Sequence, residues 1–237
     1  MSKKNFKGKL IAIEGGDGTG KQTISTELYE HLIYEGFPAI LISFPRYYTL
    51  PGKEIRRVLY GAWTEKGIKE DPDQFQKIDP IAFGALYAWD RNDAKPSLLR
   101  WLIKGNIVIT DRYVRSNQAY QGARRNGEER KKILDYFENL EFGLYGLPRP
   151  DLNIFLDLPV TLGKEAMKKQ KRSTDINEKS LQYQQEVRKI FRRLHSVEPK
   201  TKNLIISCIN RNNQRRSRQE IADKVWEAVN ERILNRL

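Results

Sequence analysis

Gly15 to Gln22 reads Gly-Gly-Asp-Gly-Thr-Gly-Lys-Gln. Glycines at this density let backbone N–H groups converge on phosphate oxygens, and a helix start behind them adds partial positive charge. Lys21 then reaches the β- and γ-phosphates of a nucleotide. Gly15, Gly16, Asp17, Gly18, Thr19, Gly20, Lys21, Gln22 and Thr23 therefore form a candidate phosphate-binding loop. Gln22 stands where Ser or Thr normally offers a hydroxyl to Mg²⁺. Thr23 is the nearest hydroxyl but points about 100° further round the helix, so the metal ligand is either the Gln22 carbonyl or Thr23. Asp111 closes an apolar run, Ile107 to Thr110, and a carboxylate so placed can hold Mg²⁺ directly or through water. Arg112 follows it, with a planar fork suited to phosphate oxygens. A basic stretch, Lys168-Lys169-Gln170-Lys171-Arg172, could place cations over a transferring phosphoryl group; its spacing also suits a solvated helix terminus.

These residues need elements to hold them. Leu10 to Ile13, Pro38 to Phe44, Ile107 to Thr110, Leu152 to Leu156 and Leu204 to Cys208 are short apolar runs of buried-strand character. Helical spacing lies between them: Ile24, Leu28, His31 and Leu32 up to Gly36; Gly52 to Tyr60; Pro80 to about Ile103, through Pro96; Val114 to Gln121; Glu128 to Leu140; Pro159 to Lys171; Asn177 to His195; and Gln219 to Leu234. Gly61 to Asp79 and Arg172 to Ile176 are polar breaks. Alternating strands and helices imply an α/β fold, a parallel sheet covered on both faces by right-handed crossovers. Ligands then sit outside the carboxyl ends of the strands, where Pro45, Arg46, Tyr47 and Tyr48 follow the second one.

The 237 residues carry a formal net charge of +13 and a single cysteine. We expect one domain spanning 1–237 with no internal linker, no membrane span and no secretory signal. One cysteine excludes an internal disulfide and suits a reducing compartment; Cys208, in an apolar run, reads as core. The basic clusters lack the interleaved aromatics of a single-strand stacking surface, so nucleic acid is disfavoured as the main partner.

Five motifs stand in one order: Glu14-Gly15-Gly16-Asp17-Gly18-Thr19-Gly20-Lys21, Phe44-Pro45-Arg46, Tyr87-Ala88-Trp89-Asp90-Arg91, Asp111-Arg112-Tyr113 and Asp175-Ile176-Asn177-Glu178. The series resembles the thymidylate kinases from about Lys9 to Cys208. The resemblance implies a P-loop NTPase fold, a five-stranded parallel sheet in the order 2-3-1-4-5 with a short lid at about 164–178. It implies transfer of the ATP γ-phosphoryl to dTMP with Mg²⁺, in the cytoplasm, by a homodimer. Asp17 would accept from the sugar 3′-hydroxyl, and Phe44 would lie in the dTMP site. Tyr87 would stack on thymine and Arg91, four residues on, would reach a base carbonyl; alone, Tyr87 also fits core packing. Arg112, with Arg46, would bind the acceptor phosphate. Ser116 and Asn117 would meet the thymine edge, and Tyr120 would leave no room for a 2′-hydroxyl. Some members carry an arginine where this chain has Gly18; members with glycine there take the catalytic cation from the lid, which here means Lys171 or Arg172. The alternatives are a kinase for another deoxynucleotide, or a nucleotide-binding protein that has lost the chemistry, for which Gln22 is the main support.

Overall fold

The computed structural model describes residues 8–60, 77–169, 180–197 and 202–236. Five parallel strands, β1 (Lys9–Gly15), β2 (Ala39–Ser43), β3 (Ile107–Asp111), β4 (Leu152–Asp157) and β5 (Asn203–Ser207), pair in the order β2-β3-β1-β4-β5. Helices join them: α1 (Lys21–Tyr34), α2 (Leu50–Leu59), α3 (Pro80–Ile103), α4 (Val114–Gly122), α5 (Gly127–Glu138), α6 (Val160–Lys169), α7 (Leu181–His195) and α8 (Arg218–Arg232). The expected order of strands is the observed one.

Side chains alternate across a strand, so each central strand feeds two cores. Ile11 and Ile13 face α1 and α8, where Leu28, Leu32, Val225 and Val229 are buried against them. Leu10 and Ala12 face the other way, onto Ala94 and Leu98 of α3 and Val114 of α4. Phe155 of β4 packs on that second face with Ala119, Val187, Ile190 and Phe191. Burial of each large apolar side chain contributes roughly 1.5–3 kcal/mol, which is why runs apolar on both faces form the centre of the sheet. Cys208 is fully buried, and burial pushes its thiol up to about 12, in keeping with a core residue.

Two features aim the strand ends at one place. The carboxyl end of β3, Asp111, is in register with Ile13 and Ser43, so the phosphate loop, β2 and β3 open on the same edge. Beyond Asp111 the chain turns through Arg112 at φ 68°, a conformation costly for a residue with a Cβ, and Arg112 N donates to Ile13 O at 3.0 Å. Glu14, fully buried on β1, then accepts from the N–H groups of Tyr113 (3.0 Å) and Ser116 (3.2 Å) at the start of α4. Tyr113 offers that helix no side-chain cap, so a carboxylate from another strand satisfies its free donors.

Helix α5 does not stop at Leu140 but passes into a π-helical turn, Asn139–Leu144. That turn carries Glu141, which is fully buried. Helix α3 runs through Pro96 to Ile103, as its spacing predicts.

Candidate functional site

Gly20 adopts a left-handed φ of 91° and delivers the chain into α1, whose first turn has no side-chain cap. Its N–H groups are thus left for an anion. Lys21 folds back onto the loop: Nζ donates to Gly16 O at 2.6 Å and lies 3.4 Å from Thr19 Oγ1. Burial, reinforced by the Arg112 charge, lowers the Lys21 pKa to about 8. Thr19 Oγ1 donates to Gly16 O (2.9 Å) and tightens the turn.

Gly18 has φ +75°, and a Cβ on it would lie 2.3 Å from Gly163 O; a Cβ on Gly163 would lie 2.6 Å from Asp17 O. Backbone therefore touches backbone where α6 leaves the sheet, and the loop has no room for a side chain at position 18. On its other flank Arg215, beyond β5, donates to Gly18 O at 3.0 Å.

A cleft of about 310 Å³ opens between the loop, the ends of β2 and β3, and helices α3 and α4. Asp17 and Gln22 line one wall, and Thr23 is not among the lining residues. Asp17 Oδ1 pairs with Arg112 Nη2 at 2.5 Å; Oδ2 accepts from Tyr120 Oη at 2.8 Å and from Gln184 Nε2 at 3.4 Å. Burial would raise the Asp17 pKa, but the charges of Arg112 and Lys21 outweigh it and hold the carboxyl below its usual range. Arg112 also donates to Gly15 O (3.3 Å) and lies over the Tyr120 ring, 5.2 Å from its centre.

Arg91 Nε and Nη2 donate to Glu141 at 2.5 and 2.8 Å, and Asn117 Nδ2 donates to the same carboxylate at 2.9 Å and to Gly84 O at 3.0 Å. These bonds fix the Asn117 amide. Its Oδ1 is left buried and without a partner among the described residues, on a side chain that lines the cleft. Arg91 lines the same wall. Tyr87 and Phe44 are in the cleft too, Tyr87 edge-on to Phe83 with centroids 5.1 Å apart.

Asp111 Oδ1 is likewise buried and without a partner among the described residues. Among the described residues no group of three or more His, Cys, Asp or Glu side chains could enclose a metal. A single carboxylate with a free oxygen suits Mg²⁺, which is commonly held by one or two protein carboxylates, water and substrate phosphates.

Two expected site residues are engaged elsewhere. Arg46 is buried and does not line the cleft: its Nε pairs with Asp90 Oδ1 (3.0 Å) and its Nη2 with Asp90 O (2.6 Å) and Asp93 (2.7 Å). Its fork is engaged in fastening the turn after β2 to α3 rather than turned into the cleft. Ser116 lines the cleft, but its hydroxyl donates to Glu14 Oε2 at 2.5 Å and ties α4 to β1. Lys171 and Arg172, and the lid segment beyond residue 169, lie outside the described residues, as do Asp175 and Glu178.

Ser43, Pro45, Tyr47, Leu59 and Gln121 also line the cleft. Their one signal in the sequence is position, since Tyr47 follows a strand end and Gln121 is four residues after Asn117 on the same helix face.

The family model "Thymidylate kinase" matches residues 13–221. A "Probable thymidylate kinase" of Pyrococcus horikoshii is 34% identical over 197 residues, 82% of this chain and 86% of that protein. A thymidylate kinase of Mycobacterium tuberculosis is 31% identical over 192 residues, covering 78% and 85%. One from a Synechococcus strain is 30% identical over 225 residues, covering 94% and 95%.

Proposed function

The chain belongs to the thymidylate kinase family, and from that premise we propose how its residues divide the work. It is a dTMP kinase that transfers the γ-phosphoryl group of ATP, used with Mg²⁺, to the phosphate of dTMP to give dTDP.

The observation that carries the residue assignment is the Asn117 amide. Held by Glu141 and Gly84, it leaves a buried acceptor without a partner among the described residues, on a side chain that lines the cleft. Thymine offers an N3–H donor flanked by carbonyls, so Asn117 Oδ1 takes the N–H while the free face of Arg91 donates to a carbonyl. Cytosine presents the opposite pattern, and an unpaired buried acceptor costs about 1–3 kcal/mol. Tyr87 stacks on the base. Asp17 exchanges its bonds with Tyr120 and Gln184 for the 3′-hydroxyl, and Tyr120 fills the space a 2′-hydroxyl would need.

Arg112 binds the acceptor phosphate, and Tyr47 supplies a hydroxyl where Arg46 does not reach. The phosphate of dTMP is already a nucleophile, so alignment carries most of the rate and no general base is assigned. One of its oxygens attacks the γ-phosphorus as the bond to ADP breaks. Lys21 leaves Gly16 O for the β- and γ-phosphates, and Lys171 or Arg172 neutralises charge on the transferring group. Gly18 supports that last assignment, because the loop cannot hold a cation there. Asp111, with Gln22 rather than Thr23, would hold Mg²⁺, which supplies positive charge at the β- and γ-phosphates when bound. Retention of Lys21, Asp111 and Arg112 disfavours a protein that has lost its chemistry.

The same reading takes residues 1–237 as one domain and the protein as a cytoplasmic homodimer. No helix among the described residues is long and apolar enough to cross a membrane. Trp89, Leu99 and Ile103 are exposed along one stripe of α3, and we assign that stripe to the dimer contact.

An ADP-release assay over dTMP, dCMP and UMP tests the specificity. We expect dTMP to exceed both by at least tenfold in kcat/KM. Glu141→Gln should narrow the gap to dCMP by raising KM for dTMP, since the Asn117 amide is then free to turn over. Equal use of UMP would sink the assigned role of Tyr120, and equal use of dCMP that of Asn117, while either leaves phosphoryl transfer intact.

A further inference from the structure

A second cavity, of about 560 Å³, shares no lining residue with the catalytic cleft. It lies among α4, α5 and α7 at the amino ends of β4 and β5, the sheet edge opposite the phosphate loop. Its composition is not that of a structural gap. Six cations line it. Two are paired, Arg130 with Glu186 at 3.1 Å and Arg149 with Glu138 at 2.6 Å. The other four, Arg115, Lys131, Arg193 and Lys202, have no carboxylate within 4.0 Å among the described residues. Arg115 is half-buried, and its side chain makes one long bond, Nη2 to Asn203 Oδ1 at 3.4 Å.

Beneath the cations lie three buried amides, Gln118 (3% exposed), Asn153 (7%) and Asn203 (7%). Asn153 and Asn203 sit in strands where valine or isoleucine would pack without the penalty of burying an amide. Gln118 Nε2 donates to Leu134 O (3.1 Å) and Glu138 (3.3 Å), which fixes the amide and leaves Oε1 buried with no partner among the described residues. A bare phosphate cannot satisfy that acceptor. It calls for an N–H donor on a body that also covers Leu134, Phe142 and Leu194.

We propose that this cavity is a regulatory site for a nucleoside phosphate, its base read by Gln118 and Asn153 and its phosphates held by the four unpaired cations. Helix α4 is the wall between the two cavities. Ser116, Asn117 and Tyr120 face the catalytic cleft, while Arg115 and Gln118 face this one. An occupant that orders α4 from behind alters the seat of the dTMP base, and linkage makes the effect reciprocal.

The test first fills the catalytic site with one equivalent of a bisubstrate analogue, thymidine and adenosine joined by a phosphate chain. Its binding reports on the kinase reading separately. Equilibrium dialysis with labelled dTTP, dCTP, dATP and dGTP then counts further sites. We expect one of the four to bind at about one per chain. Its affinity should fall at least tenfold in Arg193→Glu/Lys202→Glu and in Gln118→Leu, and inorganic triphosphate should compete at least tenfold less well. Arg193 and Lys202 are exposed, so the double variant keeps its fold and its basal activity. Without the analogue, the same nucleotide should shift the dTMP dissociation constant in the parent and not in the double variant. No further equivalent for any of the four, equal competition by triphosphate, or binding indifferent to these substitutions would each overturn the proposal.

Discussion

Lys21 is the residue whose behaviour changes most between the empty and the loaded enzyme. Burial and Arg112 lower its pKa from the ordinary 10.5 to about 8, partly offset by Asp17, Asp111 and Glu14. A depressed lysine pKa means the fold disfavours the charged amine; that cost is full below about pH 8 and fades between pH 8 and the ordinary 10.5. Triphosphate reverses the preference. ATP affinity should therefore hold below about pH 8 and fall above it by up to tenfold per pH unit, with proton uptake on binding. Calorimetry at pH 9 in buffers of different ionisation enthalpy measures that uptake; none would show that Lys21 stays charged in the empty loop. Lys21, Asp111 and Arg112 stand out in the sequence because the chemistry proposed for them depends on local order along the chain. The bonds of Arg46 were not legible, for the converse reason. An arginine after a strand end looks alike whether it meets a phosphate or, as here, Asp90 and Asp93 some 44 and 47 positions away.

Among elements, the π-helical turn at Asn139–Leu144 was the least legible. Apolar spacing marks where a helix faces a core, and Glu141 carries no apolar signal. Only the fold reveals that it meets Arg91, 50 residues earlier. Removing one partner of such a buried pair costs about 3–5 kcal/mol, so it anchors the base-reading wall as firmly as a core contact. The five strands were legible because strands buried on both faces have little choice but unbroken apolar runs. The lid is the element on which catalysis is expected to turn. Lys171→Ala/Arg172→Ala should lower kcat by about 10³-fold, as loss of a catalytic arginine does in other phosphoryl transferases, with dTMP affinity little changed. A double variant with near-normal single-turnover rates would move the cation elsewhere, with Arg215, which already meets the phosphate loop, next to examine.

For the whole molecule, the net charge of +13 is what pairing leaves over. Arg46, Arg91, Arg112 and Arg188 cancel against carboxylates inside the fold, and part of the excess gathers around the second cavity. The α3 stripe makes a prediction at this scale. Trp89→Glu should convert a dimer to a monomer in sedimentation equilibrium, whereas an unchanged mass would place the contact elsewhere. Tyr87 and Arg91 lie on the same helix, so the monomer should also show a raised KM for dTMP. The backbone contact between Gly18 and Gly163 has a historical consequence. Relatives that carry their cation on the loop are not one substitution away from this chain. Gly18→Arg alone drives a side chain into α6 before the lid charge has become dispensable, and loss of the lid charge alone leaves no replacement. If the lid supplies the cation, its place is tied to the start of α6, and Gly18→Arg should lower kcat even with the lid charges intact.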